Sequence, residues 1–294
     1  MTHKSGFVNI IGNPNVGKST IMNALVGEKL SIITSKMQTT RHRIKGIVNG
    51  DDFQIVYSDT PGILKPNYRL QETMMKQVDT ALTDADVILY VTDVVEDPEK
   101  NKDYIERIRT SGIPVIVLLN KIDLSNQESV ITLYNYWTAI FPGAPVFPIS
   151  AKEKFNLKQV FDQIISLLPE GPEFFPKDEL TDRSERFFMQ EIIREKILLH
   201  YQKEIPYSTE VEVEEFREDL GITRVRAVIY VERDSQKGII IGKGGTALKR
   251  VGTEARQEAE EFFSRKIFLE LYVKIAKEWR EKDTTLRRFG YFSE

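Results

Sequence analysis

The chain has no cysteine, which excludes disulfides, zinc–cysteine clusters and thiol catalysis together. Histidine is nearly as scarce: His3, His42 and His200 are scattered, and surface or packing roles are expected for them rather than a metal site. No apolar run approaches the ~20 residues of a membrane span, and the N-terminus enters a strand within a few residues. A large excess of one charge is also missing. The net charge is −3 with 29% charged residues, so any basic surface must be local. A cytoplasmic protein is the expectation. What remains is an ordinary core-forming mixture, 41% hydrophobic over 294 residues, a length that predicts two domains.

The two parts are patterned differently. Residues 7–11 (FVNII) form a short apolar run that stops at a glycine loop, and 19–26 follow with helical spacing. Further β-rich runs lie at 53–57, 87–91, 113–119 and 145–149, with helical stretches such as 69–82 and 157–168 between most of them. This alternation predicts a doubly wound α/β domain with a mostly parallel sheet over 1–168. The segment PEGPEFFPKDELTD, with Pro169, Pro172 and Pro176 and no periodicity, predicts a linker over 169–182. Residues 183–294 predict a smaller α+β domain: a helix at 185–201, alternating strands at 208–216 and 222–232 joined by an EDLG turn, and a short helical segment into GKGG. A helix at about 246–263, a strand at 267–275 and a C-terminal tail complete it.

In the first part, Gly12-x4-Gly17-Lys18-Ser19 matches the phosphate-binding loop pattern between a strand and a helix. The loop Gly12, Asn13, Pro14, Asn15, Val16, Gly17, Lys18, Ser19 and Thr20 would turn backbone N–H groups onto phosphates. Lys18 would reach the β- and γ-phosphates and Ser19 would hold Mg²⁺. Asp59-Thr60-Pro61-Gly62 follows a strand, so Asp59 can hold Mg²⁺ through water and the Gly62 N–H can approach the γ-phosphate. After another strand come Asn120, Lys121 and Asp123, whose carboxylate matches the paired N–H donors of guanine and not adenine. Ser150-Ala151-Lys152 follows a fifth strand, where the Ala151 N–H could meet the guanine O6. Four such motifs in order at strand ends specify GTP. Between the first two, Gln38-Thr39-Thr40-Arg41-His42 reads as a switch loop in which Thr40 completes the Mg²⁺ shell. Lys18, Thr40, Gly62 and Asn15 are the expected catalytic groups. The position where Ras-like GTPases carry a water-orienting glutamine holds Ile63, which cannot hydrogen-bond water, so slow basal hydrolysis is expected.

The motifs GNPNVGKS, QTTRH, DTPGI, NKID and ISA resemble the Era branch of translation-associated GTPases, which also carry an apolar residue after the DxxG glycine. Some relatives use K⁺ in place of an arginine finger, held partly by a phosphate-loop asparagine. The resemblance therefore implies a K⁺ site at Asn15 and Thr39 and a K⁺-stimulated GTPase.

The second glycine loop, Gly242-Lys243-Gly244-Gly245, lacks the Gly-Lys-Ser/Thr ending and is a G-x-x-G loop between two helices. In KH domains such a loop clamps the backbone of about four nucleotides. Ile239, Ile240 and Ile241 are candidates for an adjacent apolar wall, and Lys243, Lys249 and Arg250 for phosphate contacts. From 237 to 256, five basic residues face Glu254 alone. The element order is that of a type II KH domain, and with LTDRSERF and LRRFGY the likeness to Era covers nearly the whole chain. It implies a monomer that binds the 3′ end of 16S ribosomal RNA during 30S subunit assembly, with peripheral association at the inner membrane. In this reading GTP and RNA strengthen each other's binding. Two other readings remain open: an RNA-binding module whose nucleotide site is structural, and a regulator that binds single-stranded DNA.

Overall fold

The computed structural model describes residues 3–292. The chain divides into two units, one running through Pro66 and over Gln71–Asp182, the other from Arg183 onward together with Asn67–Leu70.

In chain order the first unit holds β1 (Lys4–Gly12), α1 (Lys18–Val26), β2 (Ile44–Asn49), β3 (Phe53–Asp59), α2 (Arg69–Thr83), β4 (Val87–Asp93) and α3 (Lys102–Arg109). It continues with β5 (Val115–Asn120), α4 (Gln127–Ile140), β6 (Val146–Pro148) and α5 (Leu157–Leu167). The sheet order is β2-β3-β1-β4-β5-β6, parallel except for the β2–β3 pair. Central strands covered on both faces form near-continuous apolar runs, and all seven residues of β4 are buried, with Thr92 and Asp93 the polar exceptions at its carboxyl end. Successive strands lie on opposite sides of β1, so the crevice between their carboxyl ends opens where Gly12, Asp59 and Asp93 emerge.

Strand β2 was not among the expected strands. Its six residues, IKGIVN, carry a weak pattern because only one edge is paired. Gly46 is required within it, since a Cβ there would lie 2.7 Å from Val26 Cγ2.

Residues 169–182 form no helix or regular strand, yet they are not a free tether. Ser5 N–H donates to Pro169 O at 3.1 Å and Ile47 N–H to Leu180 O at 2.8 Å. Gln54 accepts from the Phe174 and Phe175 N–H groups at 2.7 and 3.0 Å. The segment is a strap along the first unit: it has no ladder of its own, and several of its backbone carbonyls and N–H groups find partners on β1, β2 and β3.

The second unit contains α6 (Glu185–His200), β7 (Glu210–Asp219), β8 (Ile222–Val231), α7 (Asp234–Ile241), α8 (Thr246–Phe262), β9 (Ile267–Ile275) and α9 (Asp283–Arg288). Its sheet runs β7-β8-β9, antiparallel and then parallel, leaving β9 as an edge. Helices α6, α7 and α8 close the core through Ile193, Ile197, Ile240, Val251 and Ala255 against Val225, Ala227 and Ile229. The expected EDLG turn is narrower: Glu218 and Asp219 extend β7, and the reversal falls at Leu220 and Gly221, where φ is +81°. The C-terminal segment packs back, burying Trp279, Leu286, Phe289 and Tyr291, with Trp279 Nε1 donating to Ser208 O at 3.0 Å.

Candidate nucleotide site and nucleic-acid interface

The first glycine loop leaves β1 and enters α1 with backbone geometry that only certain residues tolerate. Gly17 sits at φ +99°, and a Cβ on it would lie 2.3 Å from Asn120 Nδ2. Asn15, at φ +67°, uses the tolerance of asparagine for the left-handed region. The loop is held from the base side: Asn120 donates to Val16 O at 2.8 Å, and Lys121 donates to Asn15 O at 2.5 Å while pairing with Asp93 at 2.5 Å.

Lys18 is buried and folds back on its own loop, donating to Gly12 O at 3.1 Å and Asn13 O at 2.8 Å. Burial pulls its ammonium down to about 8, against the attraction of Asp59 and Glu96. Incoming phosphate would supply the missing countercharge.

Three oxygens converge beside it. Ser19 Oγ donates to Asp59 Oδ2 at 2.6 Å, Thr40 Oγ1 donates to the same oxygen at 3.2 Å, and the two hydroxyls are 3.0 Å apart. Asp59 is fully buried, and its other oxygen, Oδ1, has no hydrogen-bond partner among the described residues. Burial pushes its carboxyl up, against the pull of the Lys18 ammonium and the hydroxyls. An unsatisfied buried carboxylate oxygen beside two hydroxyls suits a hard cation taking oxygen ligands.

The loop after β3 is fixed by contact with the first glycine loop. Thr60 Oγ1 donates to Ile10 O at 2.7 Å, and the Ile63 N–H donates to Gly12 O at 3.1 Å. A Cβ on Gly62 would lie 2.7 Å from Pro14 backbone atoms, so glycine is required there for close approach. Ile63 is 2% exposed and packs in the core with Met75 and Val78, away from solvent. A cavity of about 350 Å³ lies over this loop, lined by Asn15, Lys18, Thr40 and Gly62 and by residues with no motif, among them Ile33 and Lys36. Within its rim Asn15 Nδ2 donates to Ser35 O at 3.0 Å, while Thr39 Oγ1 donates to Lys36 O at 2.6 Å.

At the base-recognition end, Ser150 Oγ donates to Asp123 Oδ1 at 2.6 Å, so the serine orients the carboxylate. The Ala151 N–H, expected to face a guanine O6, donates here to Asn120 Oδ1 at 3.0 Å. Asn120 thus ties the first glycine loop to the loop after β6.

In the second unit, Gly242, Gly244 and Gly245 all have positive φ, at +71°, +59° and +78°. A Cβ on Gly242 would lie 2.6 Å from Ala247 Cβ. The loop projects Lys243, and Lys249 and Arg250 follow on α8; all three are exposed and have no acidic partner among the described residues. Their neighbour Arg256 is committed to Glu260 at 2.7 Å. The three isoleucines do not form one wall. Ile240 is fully buried in the core, Ile239 is half exposed, and Ile241 packs partly against the core. Helical spacing sends consecutive residues in different directions, which the IIIG run concealed. The groove of about 370 Å³ beside the loop is lined instead by Leu248, Lys249, Thr253 and Arg256 of α8 and Leu269 and Leu271 of β9, a mixed apolar and basic lining.

The family described as 50S ribosome-binding GTPase matches residues 7–121, and the KH domain family matches residues 204–280. GTPase Era of Syntrophus aciditrophicus (strain SB) is 47% identical over 292 residues, covering 98% of this chain and 95% of that one. The chain belongs to the Era family of GTPases. GTPase Era of Geobacter sp. (strain M21) is 46% identical over 291 residues, with 98% of each chain covered. Among solved structures, Era in complex with MgGDPNP and nucleotides 1506–1542 of 16S ribosomal RNA matches with a TM-score of 0.94 at 38% identity, over 99% of this chain and 100% of that one. A variant of Aquifex aeolicus Era bound to GDP·AlF4⁻ matches equally, at 39% identity. Among the described residues of this Era-family GTPase, no helix is long and apolar enough to cross a membrane.

Several residues at the nucleotide site carry no motif. Asp93 ends β4 and pairs with Lys121; Glu96 and Asn101 reach the first glycine loop from the segment that follows. A strand ending in an acid at the sheet's switch point was the available signal for Asp93 alone.

Proposed function

We propose that this Era-family GTPase clamps the unpaired 3′ end of 16S ribosomal RNA with its second unit and acts in assembly and maturation of the 30S subunit. The observation that carries the reading is the left-handed glycine loop with three cations that have no acidic partner among the described residues, beside a groove with leucine walls and a basic rim, in a protein whose net charge is negative. Lysines and arginines without acidic partners neutralise phosphates, and leucine side chains in a groove offer apolar contact to splayed bases. Its similarity to the Era bound to nucleotides 1506–1542 supports the choice of RNA. A cytoplasmic, monomeric protein that touches the inner membrane only peripherally belongs to the same reading.

In the first unit, Lys18 and the backbone N–H groups of residues 15–19 would bind the GTP phosphates, the Gly62 N–H would meet the γ-phosphate, and Asp123 would select guanine. Ser19, Thr40 and Asp59 fit Mg²⁺, which when bound neutralises charge on the β- and γ-phosphate oxygens. We assign a K⁺ to Asn15 and Thr39 as well. Hydrolysis is then expected to run several-fold faster in KCl than in NaCl at equal ionic strength; equal steady-state rates would remove the ion.

The RNA reading is tested with Gly244→Asp. The position lies at φ +59°, which aspartate visits at some cost in strain, and a Cβ there meets nothing within 4 Å, so the substitution is expected to lower stability modestly and leave the fold intact. Affinity for an oligoribonucleotide of the 16S 3′ end should fall tenfold or more by fluorescence anisotropy, with GTP hydrolysis near wild type. Undiminished RNA affinity, or joint loss of both activities, would discard the assignment. A DNA oligomer of the same sequence should compete poorly; equal competition would favour the DNA-binding reading.

A further inference from the structure

A side-chain chain runs from the end of β4 to the loop that approaches the γ-phosphate, and no motif accounts for it. Glu96 accepts from Thr92 Oγ1 at 2.9 Å and from Asn13 Nδ2 at 2.8 Å. That second bond fixes which way the buried Asn13 amide faces, so Asn13 Oδ1 points to Asn101, whose Nδ2 donates to it at 2.5 Å. The same Asn101 nitrogen donates to the Ile63 carbonyl at 3.3 Å. One amide therefore bridges the first glycine loop and the loop that carries Gly62.

Asn101 occupies the N-cap position of α3, where an asparagine side chain ordinarily accepts a helix N–H. Here it makes no such cap bond. Its backbone lies in the left-handed region at φ +59°, which turns the side chain toward the nucleotide site. Ile63 is consequently held at three points: its N–H on Gly12, its carbonyl on Asn101 and its side chain in the core. Burial pushes the Glu96 carboxyl up, against the two hydrogen bonds it accepts, as expected for a group kept in place for its acceptor geometry.

We propose that Asn101 is a positioning residue for GTP hydrolysis, oriented by Glu96 through Asn13, and that it holds the Gly62 loop where its N–H can meet a γ-phosphate. The inference rests on the GTPase reading of the site. It predicts a selective effect: triphosphate binding and turnover depend on the bridge, whereas diphosphate binding does not.

Asn101→Gly removes the amide and keeps the left-handed backbone. The expected result is a roughly tenfold fall in both kcat and the GDPNP-to-GDP affinity ratio, with GDP affinity and Tm unchanged. Glu96→Ala should reproduce this loss. Glu96→Gln, which can still accept from Asn13 and donate to Thr92, should restore most of it. A wild-type affinity ratio in Asn101→Gly, or an equal loss of GDP and GDPNP binding, overturns the proposal. Equal loss in Glu96→Gln and Glu96→Ala overturns the route through Asn13. A wild-type chain that neither binds nor hydrolyses GTP would sink the enzymatic reading, and this proposal with it.

Discussion

Replacing Asp123 by asparagine should lower affinity for GTP by two to three orders of magnitude, roughly 3–4 kcal/mol, and shift preference to xanthosine triphosphate. The reason lies in the Ser150 hydroxyl, which donates to Asp123 Oδ1 at 2.6 Å and sets the plane of the carboxylate. An asparagine would keep its oxygen toward that donor and turn its NH₂ to the base. Guanine presents N–H donors on the same edge, so two donors would face each other. With the exposed Asp123 position covered by the bound base, such a mismatch loses the bond and leaves polar groups unsatisfied. Xanthine carries a carbonyl in place of the guanine amino group and can accept from the new amide. Competition binding with both nucleotides measures the switch. Retained GTP preference would show that Asp123 does not read the base.

Installing the missing glutamine should fail, and at a cost in stability. Ile63→Gln supplies the residue type that orients water in Ras-like enzymes, but the Ile63 side chain is 2% exposed and lies in the core with Met75, Val78 and Tyr90. The substitution removes a buried aliphatic side chain and places an amide there without a partner. The two effects together cost about 3–5 kcal/mol. For a unit of this size that lowers Tm by on the order of 10 °C. Hydrolysis should not accelerate, because the Ile63 N–H bond to Gly12 O and the Asn101 bond to its carbonyl fix the direction of the side chain. Thermal unfolding and single-turnover hydrolysis report the two halves separately. Faster hydrolysis with an unchanged Tm would mean that position 63 can face the phosphates after all.

The glutamine question shows where sequence reasoning stops. An apolar residue after Gly62 was enough to expect slow hydrolysis. That the side chain is buried, and that the loop is held by partners on either side, is decided by tertiary packing. The isoleucine run before GKGG is similar: its composition announced an apolar surface, but one of the three residues is core, and the groove is built by α8 and β9. The strap at 169–182 went unread because proline-rich chain without periodicity looks the same whether it is free or bonded to a sheet edge. Strand β2 was missed because an edge strand with one partner needs little apolar patterning.

The sequence by itself determined the chemistry at the strand ends: which loops must be glycine, where Lys18, Asp59 and Asp123 stand, and which helix follows each. Those features are local, set by spacings of a few residues and by backbone angles only certain side chains accept. Tertiary structure decided the choice of partners: Asn120 for the Ala151 N–H, Glu96 for the Asn13 amide, and Asn101 for the Ile63 carbonyl. A hydrogen bond forms or fails within a few tenths of an ångström. Between residues tens of positions apart, that margin is set by how β1, β3, β4 and β5 stack side by side, and no local pattern encodes it.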